Sequence, residues 1–157
     1  MKHWEIDNET WGMGVAAYAQ AVREFSQATR QVDPNIAIAV CGSQGRSHGE
    51  FGYEWNEALL KACASSFDLL SLHHYEEPAG FADGPAKFEA FLGDTAALIA
   101  ASRNPGVKLF VSEWGAVSTD WRSGLYTAGV LNAFERSPQV AITTPAVLMR
   151  NVRSEWD

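Results

Sequence analysis

The sequence predicts an α/β fold, and three observations carry that reading. Strand-length apolar runs alternate with stretches of three- and four-residue helical periodicity, which means parallel strands joined by right-handed helical crossovers. Polar or aromatic residues gather after each strand, where parallel α/β proteins collect their chemistry. The first strand candidate runs into Asn8-Glu9-Thr10-Trp11-Gly12, where a dinucleotide-binding open sheet would carry GxGxxG. The expected architecture is therefore a (β/α)8 TIM-barrel. Five strand candidates cannot close an eight-stranded barrel, so the expectation is a partial barrel forming a single domain over residues 1–157. An open barrel edge needs cover, and a homodimer is one way to supply it.

The elements follow in order. Lys2 to Asp7 alternates apolar and polar residues and reads as a short strand ending at Asn8 and Glu9. Val15, Tyr18, Ala19, Val22, Phe25 and Ala28 mark one face of a helix that stops near Val32, before Asp33-Pro34-Asn35. Ile36 to Cys41 is a continuous apolar run, as expected of a parallel strand covered on both faces. The glycine-rich stretch Gly42 to Gly49 has no GxxxxGK[ST] pattern and reads as a sugar-facing loop, not a phosphate cradle. Trp55 to Ser65 is helical, and Phe67 to Leu72 is a strand running into His73-His74-Tyr75. A loop from Glu76 to Gly84 precedes a helix over Lys87 to Ser102. Val107 to Ser112 is a strand ending in Glu113-Trp114-Gly115. Leu125 to Phe134 is a helix, and Val140 to Met149 holds a last strand candidate interrupted by Pro145.

Composition narrows the function. Twelve Lys and Arg against 19 Asp and Glu give a net charge of −7, which argues against nucleic acid as a partner, because phosphate neutralisation needs a basic face. There is no apolar run long enough to cross a membrane and no export signal, so the expectation is a cytoplasmic chain without a membrane partner. Cys41 and Cys63 sit in no metal-ligand spacing and read as small core residues. No cofactor and no metal are expected. A hydrolase triad from Ser43 or Ser47 with His48 and Asp68 lacks the GxSxG elbow.

Two glutamates, Glu9 and Glu113, each follow a strand and each stand near a tryptophan. In a parallel sheet both would project from the same rim. Glycosidic cleavage with retention needs such a pair: one carboxyl protonates the leaving oxygen, and a carboxylate about 5 to 5.5 Å away attacks the anomeric carbon. Taken singly, Glu9 also fits a first-turn glutamate with Asn8 as N-cap, and Glu113 a solvated loop charge.

The chain resembles the clan A retaining glycoside hydrolases, most closely the family 51 α-L-arabinofuranosidases. The resemblance is carried by Trp4-Glu5-Ile6-Asp7-Asn8-Glu9 with Trp11-Gly12, Ser71-Leu72-His73-His74-Tyr75, Val111-Ser112-Glu113-Trp114, Asp120-Trp121-Arg122 and Leu131-Asn132-Ala133-Phe134-Glu135-Arg136. It implies a segment from the fourth to the eighth barrel strand, with strands one to three and the C-terminal β-sandwich outside it. It makes Glu9 the acid/base and Glu113 the nucleophile. Asn8 would bond the sugar 2-hydroxyl, Tyr75 would hold the nucleophile, and His73 or His74 would tune one of the glutamates. Strand alternation allows only one of that histidine pair to face the site. Trp11 and Trp114 are candidates for flat sugar-binding surfaces or for core packing. Asp7 stands where the family usually has glycine. The implied substrate is an oligo- or polysaccharide of the plant cell wall. An endo-β-1,4-glucanase or xylanase activity of the same clan, and a non-catalytic carbohydrate-binding remnant, are the alternatives.

Overall fold

The computed structural model describes residues 2–43 and 53–146. Five strands alternate with four helices: β1 (His3–Ile6), α1 (Val15–Val32), β2 (Ala37–Cys41), α2 (Tyr53–Cys63), β3 (Leu69–Glu76), α3 (Gly84–Ala100), β4 (Lys108–Ala116), α4 (Trp121–Arg136) and β5 (Val140–Thr143). All pairings are parallel and the sheet order follows the chain, β1-β2-β3-β4-β5. A doubly wound sheet reverses its strand order at a switch point; this one does not, which is the progression of a barrel wall.

Each helix contacts the next in sequence, so the four form one layer over one face of the sheet. Ile6, Ile38, Val40, Leu70, Leu72, Leu109 and Val111 meet Tyr18, Val22, Leu59, Phe88, Leu92, Val130 and Phe134 in a single buried core. Burying a side chain of this kind contributes roughly 1.5 to 3 kcal/mol relative to leaving it exposed. In α1 the apolar stripe turns at its midpoint: Tyr18, Ala19, Val22 and Ser26 are buried, while Phe25 is 59% exposed. Continuing by fours from Val22 reaches Ser26, so Phe25 falls off the stripe. Asp120 N-caps α4 by accepting from the Arg122 backbone N–H at 2.7 Å, which starts that helix four residues before Leu125.

Strands β3 and β4 run further than their apolar stretches suggest, so His73, His74, Tyr75, Glu113 and Trp114 lie within strands and not in loops. The Tyr18 hydroxyl links the tops of β1 and β2, donating to the Ile6 carbonyl and accepting from the Cys41 N–H. Cys41 and Cys63 are free and buried, and burial pushes both thiols up to about 11. Gln44 to Gly49, with Ser47 and His48, and the stretch from Val147 to Met149 lie outside the described residues. No helix among the described residues is long and apolar enough to cross a membrane.

Candidate active site

The face of the sheet turned away from the helices carries polar groups: Glu5 on β1, Ser71, His73 and Tyr75 on β3, and Ser112 and Glu113 on β4. Period-2 alternation accounts for Ser71, His73 and Tyr75 sharing a face. It cannot account for the consecutive pair Ser112 and Glu113. Those two share a face because the β3/β4 register slips there: Val111 stands opposite Leu72, whereas Glu113 stands opposite His73. Ser112 is the extra residue of a bulge, and bulges re-aim side chains in this way.

Beyond β1 the backbone turns through two left-handed residues, Asp7 (φ 68) and Glu9 (φ 52), into a 3-10 turn over Thr10–Met13. Glutamate rarely occupies that region, and such strain concentrates at functional sites. Asp7 Oδ1 accepts from the Asn8 N–H at 2.9 Å, and Asn8 stands exposed at the rim between the two. Trp11 Nε1 donates to the Gly42 carbonyl at 2.9 Å, and its ring meets His73 edge-on with centroids 6.4 Å apart.

These turns bring the glutamates together. Oxygens of Glu9 and Glu113 and a nitrogen of His73 lie within 4.8 Å of one another. The nearly buried His73 has Nδ1 2.8 Å from Glu9 Oε1 and 3.8 Å from Glu113 Oε2. The Tyr75 hydroxyl donates to Glu113 Oε2 at 2.7 Å. Burial first, then that carboxylate, push the Tyr75 phenol above its usual value, so it remains a donor. Among the described residues the same Glu9-His73-Glu113 group is the one with donors close enough to hold a metal ion. Within that group His73 Nδ1 is hydrogen-bonded to Glu9, and Glu113 accepts from Tyr75.

Two residues expected at the rim point elsewhere. His74, opposite in the pleat to His73, stacks on Phe88 at 3.8 Å and 4°, and burial lowers its pKa to about 4. Trp114 is paired with His74 across the ladder and shares its direction; it is 4% exposed and packs edge-on against Phe134. Trp114 nevertheless lines a cavity together with Tyr75, Gly115 and Thr143. Asn8, Glu9, Trp11, His73, Tyr75 and Glu113 remain around the rim. Glu5, Ser71 and Ser112 stand in the motifs quoted from the sequence but were not site candidates, and in the alternating run from Lys2 to Asp7 Glu5 reads as an ordinary polar strand position.

Parallel strands with their helices on one side and two glutamates at the carboxyl-terminal rim define the class: a segment of the (β/α)8 barrel wall. No family model matches the chain. It is 36% identical over 81 residues to the intracellular exo-α-(1→5)-L-arabinofuranosidase of Streptomyces lividans, covering 48% of this chain and 12% of that protein. Its fold superposes on the α-L-arabinofuranosidase of Thermotoga maritima with a TM-score of 0.80 at 24% identity, over 92% of this chain and 33% of that one. The family 51 α-L-arabinofuranosidase of Thermotoga petrophila gives 0.79 at 23% identity, over 92% and 34%. The chain is thus similar in sequence to arabinofuranosidases, which are glycoside hydrolases, and has the fold of a family 51 barrel segment. It spans about a third or less of the length of these relatives.

Proposed function

We propose that this chain carries the catalytic pair of a retaining glycoside hydrolase of the α-L-arabinofuranosidase type, acting on plant cell-wall saccharides. The supporting observation is the separation of the glutamate oxygens, within 4.8 Å. That supports double displacement, whose carboxyl groups stand about 5 to 5.5 Å apart, over an inverting pair, whose groups stand about 6.5 to 9.5 Å apart.

Glu113 attacks the anomeric carbon while Glu9 gives its proton to the departing glycosidic oxygen, leaving a glycosyl ester on Glu113. Glu9 then takes a proton from water, which attacks the same carbon and frees Glu113. Tyr75 fixes the attacking carboxylate through its hydroxyl, and His73 orients Glu9. Asn8 is placed to meet the sugar 2-hydroxyl, and Trp11 to wall the sugar beside His73. The partner is a saccharide; the net charge of −7 disfavours a polyanion. A second copy against the open sheet edge belongs to this reading.

The test is hydrolysis of p-nitrophenyl α-L-arabinofuranoside by the wild-type chain, Glu9→Ala and Glu113→Ala. Both variants are expected to lose activity by orders of magnitude, with azide restoring turnover in Glu9→Ala as a glycosyl azide of retained configuration. Equal background in all three would favour a carbohydrate-binding remnant. Hydrolysis of soluble glucan or xylan in place of the arabinofuranoside would move the activity to the β-1,4-acting members of the clan.

A further inference from the structure

Glu9 follows β1, at one edge of the sheet, and Glu113 lies in β4. Beyond Glu113, toward the other edge, a cavity of about 460 Å³ opens against the end of β4, the turn after it, α4 and β5. Its volume falls in the range of small-molecule sites, about 300 to 1,000 Å³. The cavity shares a wall with the carboxylate pair: Tyr75, whose hydroxyl holds Glu113 Oε2 at 2.7 Å, also lines it.

The lining selects for a class of ligand. Among the described residues that form it there is no charged side chain, so an ion finds no partner there. Tyr75 presents a ring that is 43% exposed, the kind of flat face on which a sugar packs. Trp114 adds a second aromatic wall, and its enclosed Nε1 has no acceptor among the described residues. Ser118 and Ser123 turn their hydroxyls to the Asp120 backbone, which leaves Thr127 on α4 and Thr143 on β5 as the hydroxyls for a ligand to meet. Aromatic walls with neutral hydroxyls suit an uncharged, polyhydroxylated ligand.

A retaining pair also fixes the direction of the substrate. The leaving group departs beside the acid, so whatever extends past the nucleophile and away from Glu9 belongs to the sugar that becomes bonded to Glu113. Resting on the function proposed above, we propose that this cavity takes a second sugar unit attached to the glycone. The preferred substrate is then a glycoside of a disaccharide, and the cut falls behind two sugars instead of one.

The test has a kinetic arm and a binding arm. In the first, kcat/KM is compared for p-nitrophenyl α-L-arabinofuranoside and for the p-nitrophenyl glycoside of arabinobiose. The wild-type chain is expected to prefer the disaccharide glycoside about tenfold, the size of one or two added hydrogen bonds. Thr127→Phe, which fills the cavity, removes the preference, and Thr127→Val, which keeps its shape and loses the hydroxyl, lowers it about threefold. Both variants hydrolyse the monosaccharide glycoside at the wild-type rate. Equal kcat/KM for the two glycosides in the wild type, or a preference that survives in Thr127→Phe, overturns the proposal.

In the second arm, arabinobiose is titrated calorimetrically into Glu113→Gln and into Glu113→Gln/Thr127→Phe. The Kd is expected to rise about tenfold in the double variant. Affinity that depends on Thr127 in this way, with no hydrolysis by the wild type, overturns the enzymatic reading alone and leaves the sugar site standing. Affinity that is absent, or the same in both proteins, overturns the site. Sedimentation of the wild type and Thr127→Phe covers the other occupant: a mass that falls in the variant while arabinobiose affinity holds makes the cavity a contact between copies and overturns the proposal.

Discussion

Tyr75 reaches Glu113 across Gly115. The two strands place Tyr75 opposite Gly115, and with no side chain at that position the phenol ring leans back one pleat to set its hydroxyl 2.7 Å from Glu113 Oε2. His73, one pleat lower, stands opposite Glu113 itself and bonds Glu9. The two glutamates are therefore held by neighbouring side chains of a single strand, which makes β3 the ruler that sets their separation.

Tyr75→Phe removes that hydroxyl and little else, since the ring is 43% exposed. On the proposed mechanism kcat is expected to fall about ten- to a hundredfold, with KM changed far less. Stability should remain within about 0.5 kcal/mol of wild type, as for surface substitutions generally. Steady-state kinetics and a urea titration on the same preparation check both halves.

His74 supplies a pH dependence of stability that is separate from catalysis. Its folded pKa of about 4 lies below the unfolded value of 6.5, because burial against Phe88 disfavours the imidazolium. The unfolded chain therefore binds the extra proton first. The stabilisation is complete above about pH 6.5 and is lost as pH falls toward 4, by an amount on the order of 3 kcal/mol. His74→Phe keeps the stack and removes the Nε2 that lacks a partner among the described residues. The variant is expected to lose less Tm than wild type between pH 7 and pH 4.5. A Tm that falls equally in both would contradict this role.

Asp7 stands at φ 68, a conformation that glycine adopts without cost and that aspartate tolerates through its short polar side chain. Asp7→Gly is expected to gain about 0.5 kcal/mol, reduced by loss of the exposed contact between Asp7 Oδ1 and the Asn8 N–H. Asp7→Val, β-branched in the same region, is expected to lose more than about 1 kcal/mol. Denaturant midpoints of the three proteins rank them directly.

Much of this arrangement could be read from the sequence because it depends on local rules. Apolar runs and helical spacing mark the five strands and four helices, and the Asn8-Glu9 and Glu113-Trp114 pairs mark the rim. Alternation alone separates His73 from His74, though not which of them faces the site; that is decided by which face the helices cover. Trp114 was harder to place, because the bulge at Ser112 shifts every later β4 residue by one, and no residue type announces a bulge. Glu5, Ser71 and Ser112 belong to three strands and meet only through register, a tertiary property. Phe25 shows the reverse case: it fits the spacing of α1 yet lies outside the buried stripe.

Gly42 is the point at which strand packing and the rim are joined, and its replacement should disturb both. Its N–H donates to the Ser71 carbonyl at 2.7 Å, while its own carbonyl accepts from Trp11 Nε1. A Cβ at Gly42 would lie 2.4 Å from the Ser71 carbonyl oxygen and 3.1 Å from Asn56 Oδ1. The first contact is with backbone and cannot be relieved by a rotamer change. The second presses on Asn56, a fully buried side chain that already accepts from the Ser43 N–H at 2.7 Å. Relief requires β2 and β3 to part, which would carry the Gly42 carbonyl and Trp11 away from His73. Gly42→Ala is accordingly expected to cost about 2 to 4 kcal/mol in urea unfolding, within the range for overpacked interiors. Trp11→Phe removes the bond to Gly42 while keeping an aromatic ring beside His73, and should cost about 1 kcal/mol. A Gly42→Ala protein within 0.5 kcal/mol of wild type would mean that the strands yield at this point, and that the rim does not depend on their close approach.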